Sequence, residues 1–273
     1  MCGIAGILSY SKPLHEPVAQ IKKMLARINY RGPDESGIFH AHDIVLGNVR
    51  LSIIDIQTGQ QPIVDESKTF FIVFNGEIYN YIELRKELIH KGHLFQTNSD
   101  TEVLLHAYIE YGPACCQKLN GQFAFAIWNE KKKELFLARD RVGIRPLYYM
   151  MHNNTFVFAS EIKAIAEYHE QELRFDHSTL AQVFTYWTAL SPATVFQGVN
   201  ELSPGHYMTI TKNGVKIEQY WRLHFPVHPD EYFQGNLSDA AQELQTLLSQ
   251  SVKLRLRADV PVAAYLSGGL DSG

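Results

Sequence analysis

Met1-Cys2-Gly3-Ile4-Ala5-Gly6-Ile7-Leu8 is the stretch of sequence that decides the fold. It is apolar, and two of its residues, Gly3 and Gly6, carry no side chain. Such a run predicts a buried first strand whose neighbours approach its backbone closely. The N-terminus, and residue 2 with it, is therefore expected inside the fold.

Short strand-like runs and helical segments follow in an irregular order. The strands are predicted at residues 44–46, 69–74, 123–128, 134–138 and 155–159. Helical periodicity is present in residues 17–28, 81–91 and 100–111. Because the two kinds of element do not alternate as in βαβ units, the pattern favours stacked antiparallel sheets covered by helices. We therefore predict an α+β layered sandwich.

The periodic patterns break at residues 224–236, where prolines and histidines interrupt the chain. Beyond this point an apolar stripe at helical spacing runs from Leu237 to Val252, with Ser238-Asp239 as the expected cap region. We therefore expect one domain over residues 1–223, a linker over 224–236 and the start of a second domain over 237–273.

Composition and charge exclude several classes of protein. Of the 273 residues, 45% are hydrophobic and 20% charged, which is ordinary for a globular protein. The net charge is -4, and no run of Lys or Arg is longer than Lys131 to Lys133, so we expect no nucleic-acid partner. No apolar run approaches the ~20 residues that span a membrane, and the first residues lack the basic flank followed by an apolar block that is typical of a secretory leader. A soluble, cytoplasmic protein without a membrane partner is expected.

Cysteine and histidine usage predicts neither disulfides nor a metal site. The three cysteines are Cys2, Cys115 and Cys116, an odd number with two of them adjacent. The twelve histidines show no spacing typical of metal ligands. We therefore assign no metal.

Cys2 is the candidate nucleophile. A thiol attacks a carbonyl as its thiolate and needs a base to take its proton. If Met1 is removed, the α-amine of Cys2, with an ordinary pKa of ~7.7 to 8.0, can be that base. The alternative from this feature alone is a small buried residue without a catalytic role.

Several motifs together resemble the glutaminase domain of asparagine synthetases. They are Cys2-Gly3-Ile4, Arg31-Gly32-Pro33-Asp34, Arg50-Leu51-Ser52-Ile53-Ile54-Asp55, Phe74-Asn75-Gly76-Glu77-Ile78-Tyr79-Asn80 and Ser99-Asp100. The resemblance covers essentially the whole chain, including Arg139 to Tyr149 and the final glycine-rich loop. It implies an N-terminal nucleophile hydrolase, a four-layer αββα sandwich whose processed cysteine attacks glutamine and releases ammonia.

The resemblance also implies a role for each matched residue. The side-chain amide of Asn75 and the backbone N–H of Gly76 would stabilise the negative charge that develops on the carbonyl oxygen. Arg50 would bind the α-carboxylate of glutamine with two parallel hydrogen bonds, and Glu77 and Asp100 would neutralise its α-ammonium. The alternatives are a hairpin turn at Asn75-Gly76 and ordinary surface charges at the other three.

Residues 51–61 resemble the loop that closes over glutamine in this family. Its first residues are expected to line the substrate site: Leu51, Ser52, Ile53 and Ile54. A plain surface connection is the alternative.

The last residues resemble the pyrophosphate-binding loop of the ATP-using domain of the same family. The residues concerned are Leu266, Ser267, Gly268, Gly269, Leu270, Asp271 and Ser272. The resemblance implies ATP and Mg in the full-length protein and no cofactor for the glutaminase. Because Gly273 stands where the family has a serine and the following helix is absent from the sequence, we expect no ATP-dependent asparagine formation by this polypeptide. A tail that is disordered or packs irregularly from about Leu237, because the partners that would bury Leu244, Leu248 and Val252 are missing, is a further expectation.

Two other functions remain open from the sequence. A related amidotransferase would send ammonia to a different carboxylate. A chain that keeps Met1 would bind glutamine or partner subunits without turnover. Glutamine is the expected small-molecule partner, and the family resemblance suggests a homodimer.

Overall fold

A computed structural model describes residues 1–11, 13–168 and 172–270. The strands in these residues are β1 (Gly3–Ser9), β2 (Glu35–His40), β3 (Ile44–Arg50), β4 (Ile63–Val64), β5 (Phe70–Ile78), β6 (Gly121–Asn129), β7 (Glu134–Arg139), β8 (Tyr148–His152), β9 (Thr155–Ala159), β10 (Val199–Glu201), β11 (His206–Thr211) and β12 (Gly214–Gln219). The α-helices are α1 (Pro17–Ala26), α2 (Tyr81–His90), α3 (Asp100–Tyr111), α4 (Cys115–Lys118), α5 (Ile162–Tyr168), α6 (His177–Tyr186) and α7 (Leu237–Arg255).

The described strands form two six-stranded sheets, and every pairing between named strands is antiparallel. The first sheet has the order β10-β8-β9-β1-β3-β2, and the second has the order β12-β11-β7-β6-β5-β4. Side chains from both sheets share one apolar core, in which Ile4 and Leu46 of the first sheet meet Val73 and Trp128 of the second. The sheets are therefore packed face to face.

Helices cover the outer face of each sheet. α1 and α5 bury Ile21 and Ile165 against the first sheet, and α2 and α3 bury Leu88 and Leu104 against the second. The result is the αββα sandwich that the sequence predicted.

β1 occupies a central position in the first sheet, between β3 and β9, and all seven of its residues are buried. The glycine at position 6 is required by packing, because a Cβ there would lie 2.2 Å from the ring of Phe158. The prediction of a buried first strand with close neighbours is confirmed, and it places residue 2 at the edge of the core.

The predicted hairpin alternative at Asn75-Gly76 is wrong. Both residues lie within β5, where Asn75 pairs with Ala124 and Gly76 pairs with Phe123 of β6. A Cβ on Gly76 would lie 2.1 Å from the carbonyl oxygen of Gln122, so only glycine fits at this close approach. The strand therefore continues past these residues to Ile78.

The chain after residue 236 begins with a long helix, so disorder, one of the two expected alternatives, is wrong for residues 237–255. The cap of α7 is Asn236, whose side chain accepts a hydrogen bond from the Asp239 backbone, rather than Ser238. Leu244, Leu248 and Val252, the predicted stripe, are each more than half exposed. Among the described residues, no helix combines the length and the apolar character needed to cross a membrane.

Candidate active site

A cavity of about 230 Å³ opens beside the start of β1. A single water needs only ~10–15 Å³ by the same measure, so the space suits a ligand of amino-acid size. Its walls come from the start of β1, the end of β3, the loop 51–61, β5, the start of α3 and the segment before β8. The lining residues are Met1, Cys2, Arg50, Leu51, Ile53, Ile54, Gln61, Phe74, Gly76, Glu77, Asp100, Thr101 and Arg145.

The thiol of Cys2 faces the first residue of the loop. Its sulfur lies 3.4 Å from the backbone nitrogen of Leu51 and 3.6 Å from the carbonyl oxygen of the same residue. The Cys2 carbonyl accepts a hydrogen bond of 2.9 Å from Nε of Arg31, and Arg31 is paired with Glu161 at 2.8 Å. These contacts fix both the side chain and the backbone of residue 2.

Burial raises the pKa of the Cys2 thiol, although the Leu51 N–H, the terminal amine and Arg50 oppose this shift. The thiol is therefore protonated at neutral pH and needs a base before it can attack. The terminal amine, which belongs to Met1 in this chain, has a pKa lowered by burial, with Cys2 opposing and Arg145 and Arg31 adding to the shift. A neutral amine can accept the proton.

Asn75 has a buried carboxamide without a partner. The residue is fully buried, and neither its Oδ1 nor its Nδ2 has a hydrogen-bond partner among the described residues. An unpaired buried polar group costs about 1–3 kcal/mol, and such groups are concentrated at functional sites. Its neighbours in β5, Phe74 and Gly76, both line the cavity. Gly76 therefore lies in the cavity wall, whereas Asn75 is next to lining residues but is not itself one of them.

The guanidinium of Arg50 is buried and already holds the loop. Its Nη1 donates to Glu35 at 3.0 Å, and its Nη2 donates to the carbonyls of Ile54 and Asp55 at 2.9 and 2.7 Å. A guanidinium can bind a carboxylate with two hydrogen bonds through Nη1 and Nη2 or through Nε and Nη2. Both pairs include Nη2, so the predicted two-bond contact requires that Nη2 lose one of its hydrogen bonds to the loop carbonyls. Arg50 thus joins the cavity wall to the loop.

Two acidic residues, Glu77 and Asp100, line the cavity together with the cations Arg50 and Arg145. Burial, with a contribution from Glu77, raises the pKa of Asp100 to about 7, although the Ile78 N–H bonds its Oδ2 at 2.9 Å. Burial also raises the pKa of Glu77, and Arg145 opposes this shift. A cation that enters the cavity would lower both pKa values, so the pair is suited to an ammonium group.

The structure brings together most, but not all, of the predicted site residues. Ser52 and Asn75 are absent from the described lining of the cavity. The Ser52 backbone N–H donates to Asp34 at 2.8 Å. Leu266 and Leu270 are mostly exposed, and the loop they bound contributes nothing to this cavity among its described residues. Asp271 and Ser272 lie outside the described residues.

Sequence reasoning missed five lining residues: Met1, Gln61, Phe74, Thr101 and Arg145. The Gln61 carboxamide accepts from the Phe74 N–H at 2.7 Å and donates to Thr101 Oγ1 at 3.3 Å, which ties the loop to β5 and α3. Arg145 lies in the matched stretch Arg139 to Tyr149, and its charge among apolar neighbours could have indicated a role in the site.

Comparison with known families gives two matches along the chain. The glutamine amidotransferase domain family matches residues 1–221, and the asparagine synthase family matches residues 243–273. Glutamine-hydrolysing asparagine synthetases 3 and 1 of Bacillus subtilis are 40% and 41% identical to the whole chain. The chain covers 44% and 43% of these proteins, so it spans less than half of their length.

Solved structures support the fold. A glutamine phosphoribosylpyrophosphate amidotransferase from B. subtilis, complexed with ADP and GMP, superposes with a TM-score of 0.59 at 24% identity. The match covers 81% of this chain and 49% of that protein. A second structure, an allosteric regulatory enzyme of purine biosynthesis, gives a TM-score of 0.60 at 23% identity.

Proposed function

We propose that this chain, which belongs to the glutamine amidotransferase domain family, hydrolyses glutamine to glutamate and ammonia with Cys2 as its nucleophile. The observation that carries the proposal is the single cavity that joins Cys2, Arg50, Gly76, Glu77 and Asp100. It offers a nucleophile, a carboxylate-binding cation and two acids for an ammonium, which are the groups that glutamine recognition and hydrolysis need.

The reaction proceeds in two steps. After Met1 is removed, the neutral amine of Cys2 takes the thiol proton, and the sulfur attacks the side-chain carbonyl of glutamine. The Asn75 amide and the Gly76 N–H stabilise the oxyanion. The C–N bond then breaks, the proton passes from the amine to the leaving nitrogen, and ammonia departs. Water, deprotonated by the same amine, cleaves the thioester and releases glutamate.

Removal of Met1 is central to this mechanism for two reasons. While Met1 is present, the nitrogen of Cys2 belongs to a peptide bond and cannot act as a base. Met1 also lines the cavity, so its removal enlarges the space for substrate. A chain that keeps Met1 would be the non-catalytic form.

The test is glutamate and ammonia release from glutamine by wild-type and Cys2→Ala protein, with asparagine as comparison substrate. Mass spectrometry of the N-terminus establishes the fraction of chains that have lost Met1. We expect activity in proportion to that fraction and none in Cys2→Ala. Activity in Cys2→Ala would show that another group performs the attack.

The activity of the full-length protein is a separate part of the proposal. The similarity to glutamine-hydrolysing asparagine synthetases supports ammonia transfer to aspartate, with ATP and Mg bound around Ser267 to Ser272. The proposed domains are residues 1–223 for the glutaminase and 237–273 for the start of the ATP-binding domain, joined by residues 224–236. A homodimer in the cytoplasm completes the proposal, and a different carboxylate acceptor is the alternative.

A further inference from the structure

The segment that follows α7 contacts the loop 51–61 and the region where β5 leads into α2. The backbone N–H of Asp259 donates to the Ile53 carbonyl at 2.9 Å, and its Oδ2 accepts from the Asp55 N–H at 2.7 Å. Two residues earlier, Arg257 binds the Glu83 carboxylate with both terminal nitrogens at 2.6 Å and donates to the Tyr79 carbonyl at 2.5 Å. Residues 257–259 thus contact the loop on one side and the end of β5 with α2 on the other.

Asp55, the partner of Asp259, is held in an unusual conformation by several hydrogen bonds. Its φ is 53°, a left-handed conformation that is unfavourable for a residue other than glycine. Its carboxylate accepts from the Thr58 N–H, the Thr58 hydroxyl and the Asn98 N–H at 3.0, 2.6 and 2.7 Å. Such a conformation persists only where the surrounding structure stabilises it. The hydrogen bond from the Asp55 backbone N–H to Asp259 is one of these stabilising contacts.

Two hydrogen bonds, joined through the backbone of Asp55, link Asp259 to Arg50 in the cavity wall. The Asp55 carbonyl, one peptide plane away from the nitrogen that Asp259 holds, accepts from Arg50 Nη2. The Ile53 carbonyl bonded by Asp259 belongs to a residue that lines the cavity. Loss of the Asp259 carboxylate would free the loop at Asp55 and so change the position of the Arg50 guanidinium.

We propose that Asp259 is a positioning residue of the glutamine site, which holds the loop 51–61 over the cavity from the segment that leads toward the glycine-rich stretch 266–270. The inference rests on the proposed glutaminase function for its kinetic effect, but not for the contact itself. Asp259 affects substrate binding through the loop and does not touch the reacting atoms.

The kinetic test compares Asp259→Ala with Asp259→Asn in the full chain with Met1 removed. The carboxamide of Asn can still accept the Asp55 N–H, whereas Ala cannot. Loss of a hydrogen bond to a charged acceptor predicts a rise of about tenfold in the KM for glutamine in Asp259→Ala, with kcat within about twofold of wild type. Asp259→Asn should restore most of the affinity. Glu243→Ala, which removes an exposed carboxylate of α7, is the matched control.

A purely structural role would lower kcat and raise KM together and would reduce the number of active molecules. Alkylation of Cys2 by iodoacetamide separates the two cases, because this reagent needs neither the α-carboxylate nor the α-ammonium recognition of glutamine. We expect Asp259→Ala to be alkylated at least as fast as wild type. An unchanged KM in Asp259→Ala, or equal effects of Ala and Asn, would overturn the proposal.

Hydrogen exchange tests the contact independently of catalysis. The Asp55 amide should exchange about tenfold faster in Asp259→Ala than in wild type, and Asp259→Asn should retain its protection. If wild type has no glutaminase activity, the proposed function fails while this measurement still decides the role of Asp259. Equal exchange at Asp55 in all three proteins would refute the contact.

Discussion

Asp100→Asn should make the protein more stable at alkaline pH while it impairs glutamine binding. Asp100 is buried in the first turn of α3, where burial and Glu77 raise its pKa from 3.8 to about 7. In the unfolded chain this carboxyl loses its proton near pH 4, but in the folded protein it keeps the proton until about pH 7. Folding therefore binds a proton in this interval, and the free energy of unfolding falls as the pH rises through it.

The size of the effect follows from the two pKa values. They differ by about three units, and each unit corresponds to about 1.4 kcal/mol, so ionised Asp100 reduces stability by about 4 kcal/mol above pH 8. Asparagine cannot ionise, so the variant avoids this loss of stability at every pH. The buried amide donors of asparagine cost about 1–3 kcal/mol and offset part of the increase in stability. Because the offset does not depend on pH, the difference between variant and wild type should grow by about 4 kcal/mol from pH 4 to pH 8.

Glu102, two residues further along α3, provides a control of opposite sign. Burial opposes its ionisation, but hydrogen bonds from His106, Gln96 and Thr97 lower its pKa from 4.5 to about 2. Its ionised form therefore stabilises the fold above pH 4.5, and this contribution is lost as the pH falls toward 2. Glu102→Gln should lower stability by about 3 kcal/mol at pH 8.

The assay is urea-induced unfolding, followed by circular dichroism at pH 4, 6 and 8, for wild type and the two variants. The free energies of unfolding at each pH are compared as differences from wild type, which cancels the titration of all other groups. If Asp100→Asn and wild type have the same pH dependence, folding does not change the pKa of Asp100, and the reasoning about a cation-binding acid pair is refuted.

Two further substitutions test the proposed oxyanion residues of β5. Asn75→Ala should lower turnover by ~100- to 1000-fold. It should not lower the free energy of unfolding, because the Asn75 carboxamide has no hydrogen-bond partner among the described residues. A lower stability of this variant in urea would contradict the assignment. Gly76→Ala should destabilise the fold by several kcal/mol, since its Cβ would lie 2.1 Å from the Gln122 carbonyl oxygen. Wild-type thermal stability for Gly76→Ala would show that the two strands can separate at this point.

The local pattern of the sequence predicted the elements whose periodicity is unbroken. α3 spans Asp100–Tyr111, the predicted range, because its apolar face is continuous and Ser99 caps it. β5 was predicted to end at residue 74, since Asn-Gly is the strongest local signal for a turn. Both residues instead pair with β6, in the register Gly76↔Phe123 and Asn75↔Ala124, and this pairing overrides the local preference. The partners are 47 and 49 positions away along the chain, so the local pattern does not indicate the pairing.

The sequence predicted the site residues that belong to a recognisable motif. It missed those that only the tertiary fold brings to the cavity. Cys2, Arg50, Glu77 and Asp100 lie in matched motifs, and all four line the cavity. Gln61 and Thr101 were missed because a carboxamide and a hydroxyl are common on surfaces and nothing local marks them. The contact between Asp55 and Asp259 joins residues 204 positions apart, so no local pattern could indicate it.

The position of Met1 in the cavity lining determines how the protein should be produced. A purification tag fused ahead of residue 1 would leave Cys2 inside an internal peptide bond and would place extra residues in the mouth of the pocket. An affinity handle at the other end, with an expression host that trims initiator methionine efficiently, avoids both problems. Inactivity of an amino-terminally tagged preparation would therefore reflect the fusion and not the enzyme.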